Sequence, residues 1–331
     1  MDLDPRLLTR IPELLEREDV PGLCLSLIRD GEAAWHGAFG VRDRKTGEPL
    51  TTDTLFEAAS LGKPAFAYGV LQLCAEGVLD LDRPLNDYLD RPYIEDDPRS
   101  NRITTRHVLS HTSGLPNWRS KDQPLRTAFE PGRRFSYSGE GYVYLAGVVE
   151  RITGRPIDEF LEDRVLHAVG FGAASFAWAA DDPREIASPH DTAGEPRAKS
   201  AWASANVAAS LHCTARGFSG LVRTIAQPVG EHSIGADDLA AMLSPQIRLN
   251  DRVGWGLGWG LQRSPAGDGF WHWGDNEGYR SFALGSAASG DGIVAMTNGE
   301  NGQHVIDAIL HDLLGGDLPA LDWLARFYGR G

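Results

Sequence analysis

The chain has 331 residues, of which 42% are hydrophobic and 24% are charged. This ordinary globular composition excludes a disordered, collagen-like or disulfide-stapled chain, and the length predicts one large two-lobed domain or two smaller domains. The formal net charge of −14 repels phosphate backbones and anionic lipid, so neither nucleic acid nor a membrane surface is expected as a partner.

The predicted elements begin with an amphipathic helix over residues 5–18, where leucine and isoleucine recur at helical spacing. A β-hairpin follows, with apolar residues 23–28 and 33–37 on either side of a turn. Between residues 64 and 204, helical patterns at 65–76 and 142–152 alternate with loops rich in Pro, Gly and Asp. After residue 205 come a helix at 214–225, β-rich runs at 253–261, 270–273, 279–284 and 293–298, and a closing helix at 305–314.

This order predicts an α+β fold in which both chain ends build one lobe. Residues 1–63 and 205–331 would form an antiparallel sheet flanked by helices, and residues 64–204 an inserted all-α lobe. We expect a ligand cleft between the two lobes.

The cysteines and the first residues bear on the cellular compartment. Cys24, Cys74 and Cys213 are an odd number of widely spaced residues, which indicates free thiols in a reducing compartment. The segment from Met1 to Arg6 lacks the basic start and apolar stretch of a signal peptide, and no run of 18 apolar residues follows. The sequence therefore predicts a cytoplasmic protein, and it leaves the oligomeric state open.

The first candidate for chemistry is Ser60-Leu61-Gly62-Lys63, placed where a short apolar run gives way to a helix. If both residues lie on the helix, spacing i and i+3 puts their side chains on one face, so the lysine amine can reach the serine hydroxyl. A lysine whose pKa is lowered by burial can act as base for a serine nucleophile. The alternative is a helix cap with a solvated lysine.

The second candidate is Tyr137, on a loop that opens after Pro131-Gly132 and leads into a helix. A phenol near a lysine can carry protons to and from a serine. The alternative is a core tyrosine whose hydroxyl is hydrogen-bonded.

The third candidate is His272-Trp273-Gly274-Asp275-Asn276, at the end of a predicted edge strand. A histidine followed by glycine lets a substrate backbone lie along such an edge. The backbone N–H of Asp275 could then complete an oxyanion hole with that of Ser60. The alternative is a histidine packed in the core between two tryptophans.

Other kinds of site are not indicated. The sequence has no His-Glu-x-x-His and no Cys-x-x-Cys, so no metal site is predicted. It also lacks a Walker loop, a dinucleotide fingerprint and a Gly-x-Ser-x-Gly elbow, so no cofactor is expected and an α/β-hydrolase is disfavoured.

Together the three segments, spaced by 77 and 135 residues, resemble the serine β-lactamase and penicillin-binding-protein superfamily. The resemblance is closest to its class C-like branch of esterases and D-amino-acid peptidases, and the stretches 109–115 and 148–154 share it. It implies a β-lactamase/transpeptidase-like fold, with Ser60 as acylated nucleophile, Lys63 as its base and Tyr137 as proton shuttle. It further implies that His272 shapes the electrostatics beside Tyr137. His111 and Ser113 are interpreted as structural turn residues.

The resemblance fails at one place. Family members usually have an asparagine two residues after the tyrosine, whose amide holds the substrate's acylamide group, and here that residue is Gly139. A buried substrate amide left unpaired costs about 1 to 3 kcal/mol. A small ester or amide is therefore the expected substrate, with Gly139, Trp273, Gly274 and Asn276 as further cleft candidates.

Three functions stay open from the sequence. An esterase-type serine hydrolase is favoured, a D-amino-acid peptidase or weak β-lactamase is the first alternative, and a catalytically silent binding or assembly protein is the second. The tryptophans 255, 259, 271 and 273 either line an acyl pocket or pack in the core, and core packing is expected for at least half of them.

Overall fold

A computed structural model describes residues 5–179, 181–182, 184–228, 234–265 and 267–328. Its main feature is a nine-stranded sheet of antiparallel pairs, in the order β3-β2-β1-β11-β10-β9-β8-β7-β6. A separate pair joins β4 to β5. The strands are β1 Gly22–Arg29, β2 Glu32–Asp43, β3 Glu48–Pro49, β4 Phe56–Ala59, β5 Leu211–Cys213, β6 Ile247–Arg248, β7 Val253–Trp255, β8 Gly260–Gln262, β9 Gly269–Asn276, β10 Tyr279–Gly285 and β11 Gly292–Thr297.

The described part of the chain also forms nine α-helices. They are α1 Pro5–Arg17, α2 Gly62–Ala75, α3 Thr105–Leu109, α4 Gly139–Thr153, α5 Ile157–Leu161, α6 Ala215–Ala226, α7 Ala236–Met242, α8 Gly302–Leu314 and α9 Pro319–Tyr328. Two 3₁₀ turns, Leu85–Tyr88 and Pro98–Arg102, and a π-helical turn, Glu162–His167, complete the set. This architecture confirms the predicted α+β fold with an antiparallel sheet flanked by helices from both chain ends.

Alternating side chains divide the sheet between two apolar clusters, as the period of two requires. On one face, Trp271 and Phe282 pack with α1, α8 and α9, for instance with Ile11 and Ile309. On the other face, Phe270 belongs to the larger cluster that continues into α2, α4 and α6. The sheet and the helical segments between Gly62 and His167 thus share one continuous core.

One predicted strand is two strands. The run 253–261 reverses direction between β7 and β8, with the Gly256 N–H donating to the Trp259 carbonyl at 2.8 Å. Gly258 adopts φ +89° in this turn, a conformation that glycine tolerates best. The alternation of Gly and Trp fits a strand of period two, so the sequence pattern gave no sign of the reversal.

The middle of the chain is helical only in part. The helices within the predicted 64–204 lobe end by His167, and the described residues from 168 to 204 form turns and isolated bridges. That segment is hydrogen-bonded to the lobe that contains the sheet. The Ala187 N–H donates to the carbonyl of Leu55, just before β4, and the Ser188 N–H donates to the carbonyl of Arg42 in β2. Residues 1–4 and 329–331, at the ends of the predicted lobes, lie outside the described residues. None of the helices described for this chain combines the length and the apolar character needed to cross a bilayer.

Candidate active site

Ser60 lies in a tight turn between β4 and α2. Ala59, the last residue of β4, has φ +53°, a left-handed conformation that strains a non-glycine residue. The helix begins only at Gly62, so Ser60 precedes it and the two residues do not both lie on the helix. A turn brings them together instead, with the Lys63 N–H donating to the Ser60 carbonyl at 3.0 Å.

The side chains of Ser60 and Lys63 are in direct contact. Lys63 Nζ lies 2.9 Å from Ser60 Oγ and donates to the Ala208 carbonyl at 2.7 Å. Lys63 is fully buried, and burial lowers the pKa of its amine well below the ordinary value. No carboxylate among the described residues pairs with it. The site therefore favours a neutral amine, whose lone pair can accept the Ser60 proton.

Two features bring the Ala208 carbonyl to this amine. A Cβ on Gly62 would lie 2.7 Å from the Val207 carbonyl oxygen, so glycine lets the loop approach the start of α2. The Asn206 side chain accepts the Ala208 N–H at 3.0 Å and holds the loop in shape. The sequence analysis did not identify this loop, because it lies about 145 residues from Lys63.

Tyr137 lies on the loop before α4, as predicted, and comes next to this pair. Lys63 Nζ is 4.7 Å from the centre of the Tyr137 ring. The phenol oxygen is buried and has no hydrogen-bond partner among the described residues, although the Ser60 hydroxyl is near enough to act on its pKa. Burial outweighs that influence and raises the pKa of Tyr137 well above its usual range. Tyr137 is thus kept as a neutral phenol that can donate a proton.

His111 accepts two hydrogen bonds from the residues on either side of Tyr137. The Ser136 N–H donates to the His111 carbonyl at 2.8 Å, and the Ser138 N–H donates to His111 Nδ1 at 3.0 Å. The imidazole also packs against the Tyr137 ring, with the centres 4.2 Å apart. It is fully buried, and burial lowers the pKa of its imidazole well below the ordinary value.

His111 has φ +55°, so its interpretation as a turn residue agrees with the backbone. Its contact with Tyr137 was missed by the sequence analysis. The one signal was that residues 109–115 share the family resemblance.

The β9 strand forms the other side of the site. His272 is fully buried, and burial lowers its pKa to about 3, so the ring is neutral. Its Nδ1 is 2.8 Å from the Trp273 carbonyl, and its Nε2 has no partner among the described residues. In the sheet order β9 is an interior strand, but β8 pairs only as far as Trp271. From His272 onward that side of β9 is therefore not paired with β8, and a substrate contact there stays a prediction.

Gly274 brings β9 against the strand that carries the serine. A Cβ at this position would lie 2.2 Å from the Ala58 carbonyl oxygen and 2.2 Å from Ser281 Oγ. Since Ser60 and Asp275 follow Ala58 and Gly274 closely in the chain, this contact places their backbones on neighbouring segments. The Asp275 side chain is used elsewhere, in an ion pair with Arg280 at 2.9 Å and a hydrogen bond from Tyr328 at 2.7 Å.

Two of the predicted cleft residues make contacts within the protein. Trp273 packs its ring 4.8 Å from that of Tyr137 and belongs to the cluster formed with α9. The Asn276 amide donates to the carboxylate of Glu57 and, at 3.1 Å, to the Ala209 carbonyl. Glu57 is itself buried, and burial raises its pKa.

The four tryptophans at 255, 259, 271 and 273 do not form an acyl pocket. Trp255, Trp259 and Trp271 are fully buried, and Trp273 is 8% exposed. Core packing, the alternative expected for at least half of them, is confirmed.

Other parts of the described structure offer no comparable chemistry. One groove is lined in part by Arg252 and Phe270 and another by Leu27 and Leu314, and neither includes a lysine or a histidine. Within the described ranges no three His, Cys, Asp or Glu side chains are grouped as ligands of a metal ion. The three cysteines are free thiols.

Known proteins resemble this chain in sequence and in fold. Penicillin-binding protein 4 from Amycolatopsis lactamdurans is 28% identical over 338 residues, which cover 92% of this chain and 88% of that protein. Esterase EstB from Burkholderia gladioli is 33% identical over 215 residues, covering 56% of this chain and 54% of the esterase. The match therefore spans about half the length of the esterase.

A solved structure, the octameric penicillin-binding protein homologue from Pyrococcus abyssi, superposes with a TM-score of 0.83 at 20% identity. The superposition covers 98% of this chain and 81% of that one, which supports the fold. The family model described as Beta-lactamase matches residues 8–316, a range that includes the turn of Ser60, the Tyr137 loop and β9. The chain belongs to the beta-lactamase family.

Proposed function

We propose that this protein is a serine hydrolase that cleaves small esters through an acyl-enzyme on Ser60. The observation that carries the proposal is the 2.9 Å contact between Ser60 Oγ and Nζ of a fully buried lysine. Burial moves the pKa of Lys63 downward and that of Tyr137 upward. Two titratable groups shifted in opposite directions beside one nucleophile are typical of an acid and base pair.

Acylation follows from these assignments. Ser60 Oγ attacks the substrate carbonyl carbon while its proton passes to the neutral amine of Lys63. The carbonyl electron pair moves to oxygen, where the backbone N–H groups of Ser60 and Asp275 are the proposed donors. As the intermediate collapses, the bond from carbon to the leaving oxygen breaks. Tyr137 donates a proton to that oxygen and regains one from Lys63.

Deacylation uses the same groups in reverse. Water attacks the acyl carbon and gives its proton to the Lys63 and Tyr137 pair, which returns a proton to Ser60 Oγ as the ester bond to serine breaks. The products are the acid and the free enzyme. His272, neutral and with Nε2 unpaired, is proposed to contact the substrate from β9 without adding charge.

The preference for an ester is supported by Gly139. This residue brings no side-chain amide to the site, and its N–H is already taken by the Asn117 side chain at 2.9 Å. A peptide or β-lactam substrate would leave an acylamide group without that partner, whereas a simple ester has no such group to satisfy.

The test is hydrolysis of p-nitrophenyl acetate and butyrate by wild type, Ser60→Ala and the control Ser113→Ala. Ser113 is also buried, and its hydroxyl accepts only the Leu115 N–H among the described bonds. We expect turnover by wild type and the control and none by Ser60→Ala. Equal activity of Ser60→Ala would overturn the proposal.

A D-amino-acid peptidase or weak β-lactamase is a second candidate. It is supported by the alignment with a penicillin-binding protein over 92% of this chain. Hydrolysis of nitrocefin or of a D-alanine anilide with a kcat/KM well above that for the esters would favour it.

A further inference from the structure

An exposed tryptophan lies at the proposed active site and takes no part in the steps above. Trp118 is 47% exposed, and the centre of its ring is 6.0 Å from Lys63 Nζ. Since that amine is 2.9 Å from Ser60 Oγ, the ring centre lies at most about 9 Å from the nucleophile. A group attached to the reacting carbonyl or to its leaving oxygen spans that distance.

Trp118 is fixed on both sides by its neighbours in the chain. The Asn117 carbonyl accepts the Glu140 N–H at 2.8 Å, and the Asn117 side chain accepts the Gly139 N–H at 2.9 Å. Arg119 forms an ion pair with the buried carboxylate of Glu140. The segment 117–119 is therefore bound to the start of α4, and the backbone that carries the ring is held in place before a ligand arrives. Such preorganisation lowers the entropy lost on binding.

The ring also fills the space beside Gly139. A Cβ at residue 139 would lie 2.7 Å from the ring atom Cη2 and 3.0 Å from the Asn117 carbonyl oxygen. Any larger residue at 139 would displace the ring. Glycine at this position thus has a physical reason in this chain, which is to let an indole occupy the region next to Lys63.

We propose that Trp118 is a specificity-determining residue that binds an apolar, preferably aromatic, group of the substrate. The proposal rests on the serine hydrolase function proposed above. An exposed indole face stacks on aromatic groups and excludes water from alkyl groups, and it offers little to a charged or strongly hydrated group. The aromatic group is carried by either the acyl part or the alcohol part, and the test separates the two.

The test compares wild type, Trp118→Ala and Trp118→Phe, with Trp35→Ala as matched control. The Trp35 ring also packs over a glycine, since a Cβ on Gly37 would lie 2.0 Å from it. Trp35 is on β2, which is separated from β9 by three strands. The acyl series is ethyl acetate, ethyl butyrate and ethyl phenylacetate, and the alcohol series is ethyl, butyl and benzyl acetate.

We expect Trp118→Ala to lower kcat/KM for the aromatic member of one series by 10- to 100-fold, while ethyl acetate changes less than threefold. Trp118→Phe should restore most of the loss, and Trp35→Ala should cause none. The series in which the loss appears identifies the part of the substrate that meets the ring. An equal loss for all esters, or no loss in either series, would overturn the inference.

Labelling of Ser60 by a fluorophosphonate separates this inference from the function on which it rests. Failure of wild type to be labelled overturns both. Normal labelling of wild type and Trp118→Ala, combined with unchanged selectivity, overturns the role of Trp118 alone.

Discussion

Gly274→Ala is expected to impair catalysis more than it impairs folding. The added Cβ would lie 2.2 Å from both the Ala58 carbonyl oxygen and Ser281 Oγ, whereas ordinary contacts begin near 3.4 Å. β9 must therefore retreat from Ala58 by about 1 Å. The hydrogen bond from Ser281 Oγ to the Ala58 carbonyl, 3.1 Å long, lies in the way of the new methyl group.

Two magnitudes follow from that displacement. Overpacking of this kind costs about 1 to 3 kcal/mol of unfolding free energy, which leaves most proteins of this size folded. A shift of about 1 Å in the Asp275 N–H, a proposed oxyanion donor, is expected to lower kcat by about 10²- to 10³-fold. KM should change little, because the donor acts mainly on the charge that develops in the transition state.

The assay is kcat and KM for p-nitrophenyl acetate together with the melting temperature. Gly269→Ala is the control, since it lies on the same strand but its Cβ would meet neighbours at 3.1 and 3.2 Å, and it is five residues from Gly274. It should keep the wild-type kcat. A folded Gly274→Ala protein with kcat within threefold of wild type would refute the placement of the oxyanion donor on β9.

Three further predictions test other contacts. Lys63→Met should abolish ester hydrolysis while the protein stays folded. In wild type, kcat/KM should rise with pH as Lys63 loses its proton, over a pH range set by its lowered pKa. A kcat/KM that falls with pH over that range would contradict Lys63 as the base. Burial lowers the pKa of His212 to about 4 and that of His272 to about 3. Below pH 6.5 the folded state therefore binds fewer protons than the unfolded chain. As the pH drops from 6.5 toward 4, the free energy of unfolding should fall by about 1.4 kcal/mol per pH unit for each of these histidines. Melting temperatures from pH 7.5 to 4.5 measure this, and a flat profile would contradict the buried neutral rings. His111→Ala removes the acceptor of the Ser138 N–H. Because Tyr137 would then be displaced, kcat should fall by about 10- to 100-fold at nearly constant KM. An unchanged kcat would show that His111 does not position the tyrosine.

Local patterns were sufficient for the elements nearest to Ser60. The apolar periodicity predicts a helix at 65–76, and the structure has α2 at Gly62–Ala75. The turn residues Pro131-Gly132 predict that Tyr137 lies on a loop before a helix, and in the structure this loop precedes α4. These elements are determined by residues close in the chain, which is why single-sequence reasoning could identify them.

Contacts between distant segments could not be read from the sequence. The approach of the Ala208 carbonyl to Lys63 accompanies the pairing of β4 with β5, which joins residues about 150 positions apart. Trp118 approaches Lys63 because Gly139 leaves space for its ring, and nothing in the local pattern around Trp118 indicates this. The helix α9, beyond Gly315-Gly316, was also not predicted, and its place follows from packing of Trp323 against the tryptophans of β9.

The central claim is that Ser60 is a nucleophile activated by Lys63. The most direct measurement is the intact mass of wild type and Ser60→Ala after incubation with a fluorophosphonate, and in parallel with penicillin G. The structure predicts one fluorophosphonate adduct on wild type and none on Ser60→Ala, and a lasting penicillin adduct would favour the second candidate function. A folded wild-type protein that forms no adduct with either reagent would contradict the claim and favour a silent binding protein.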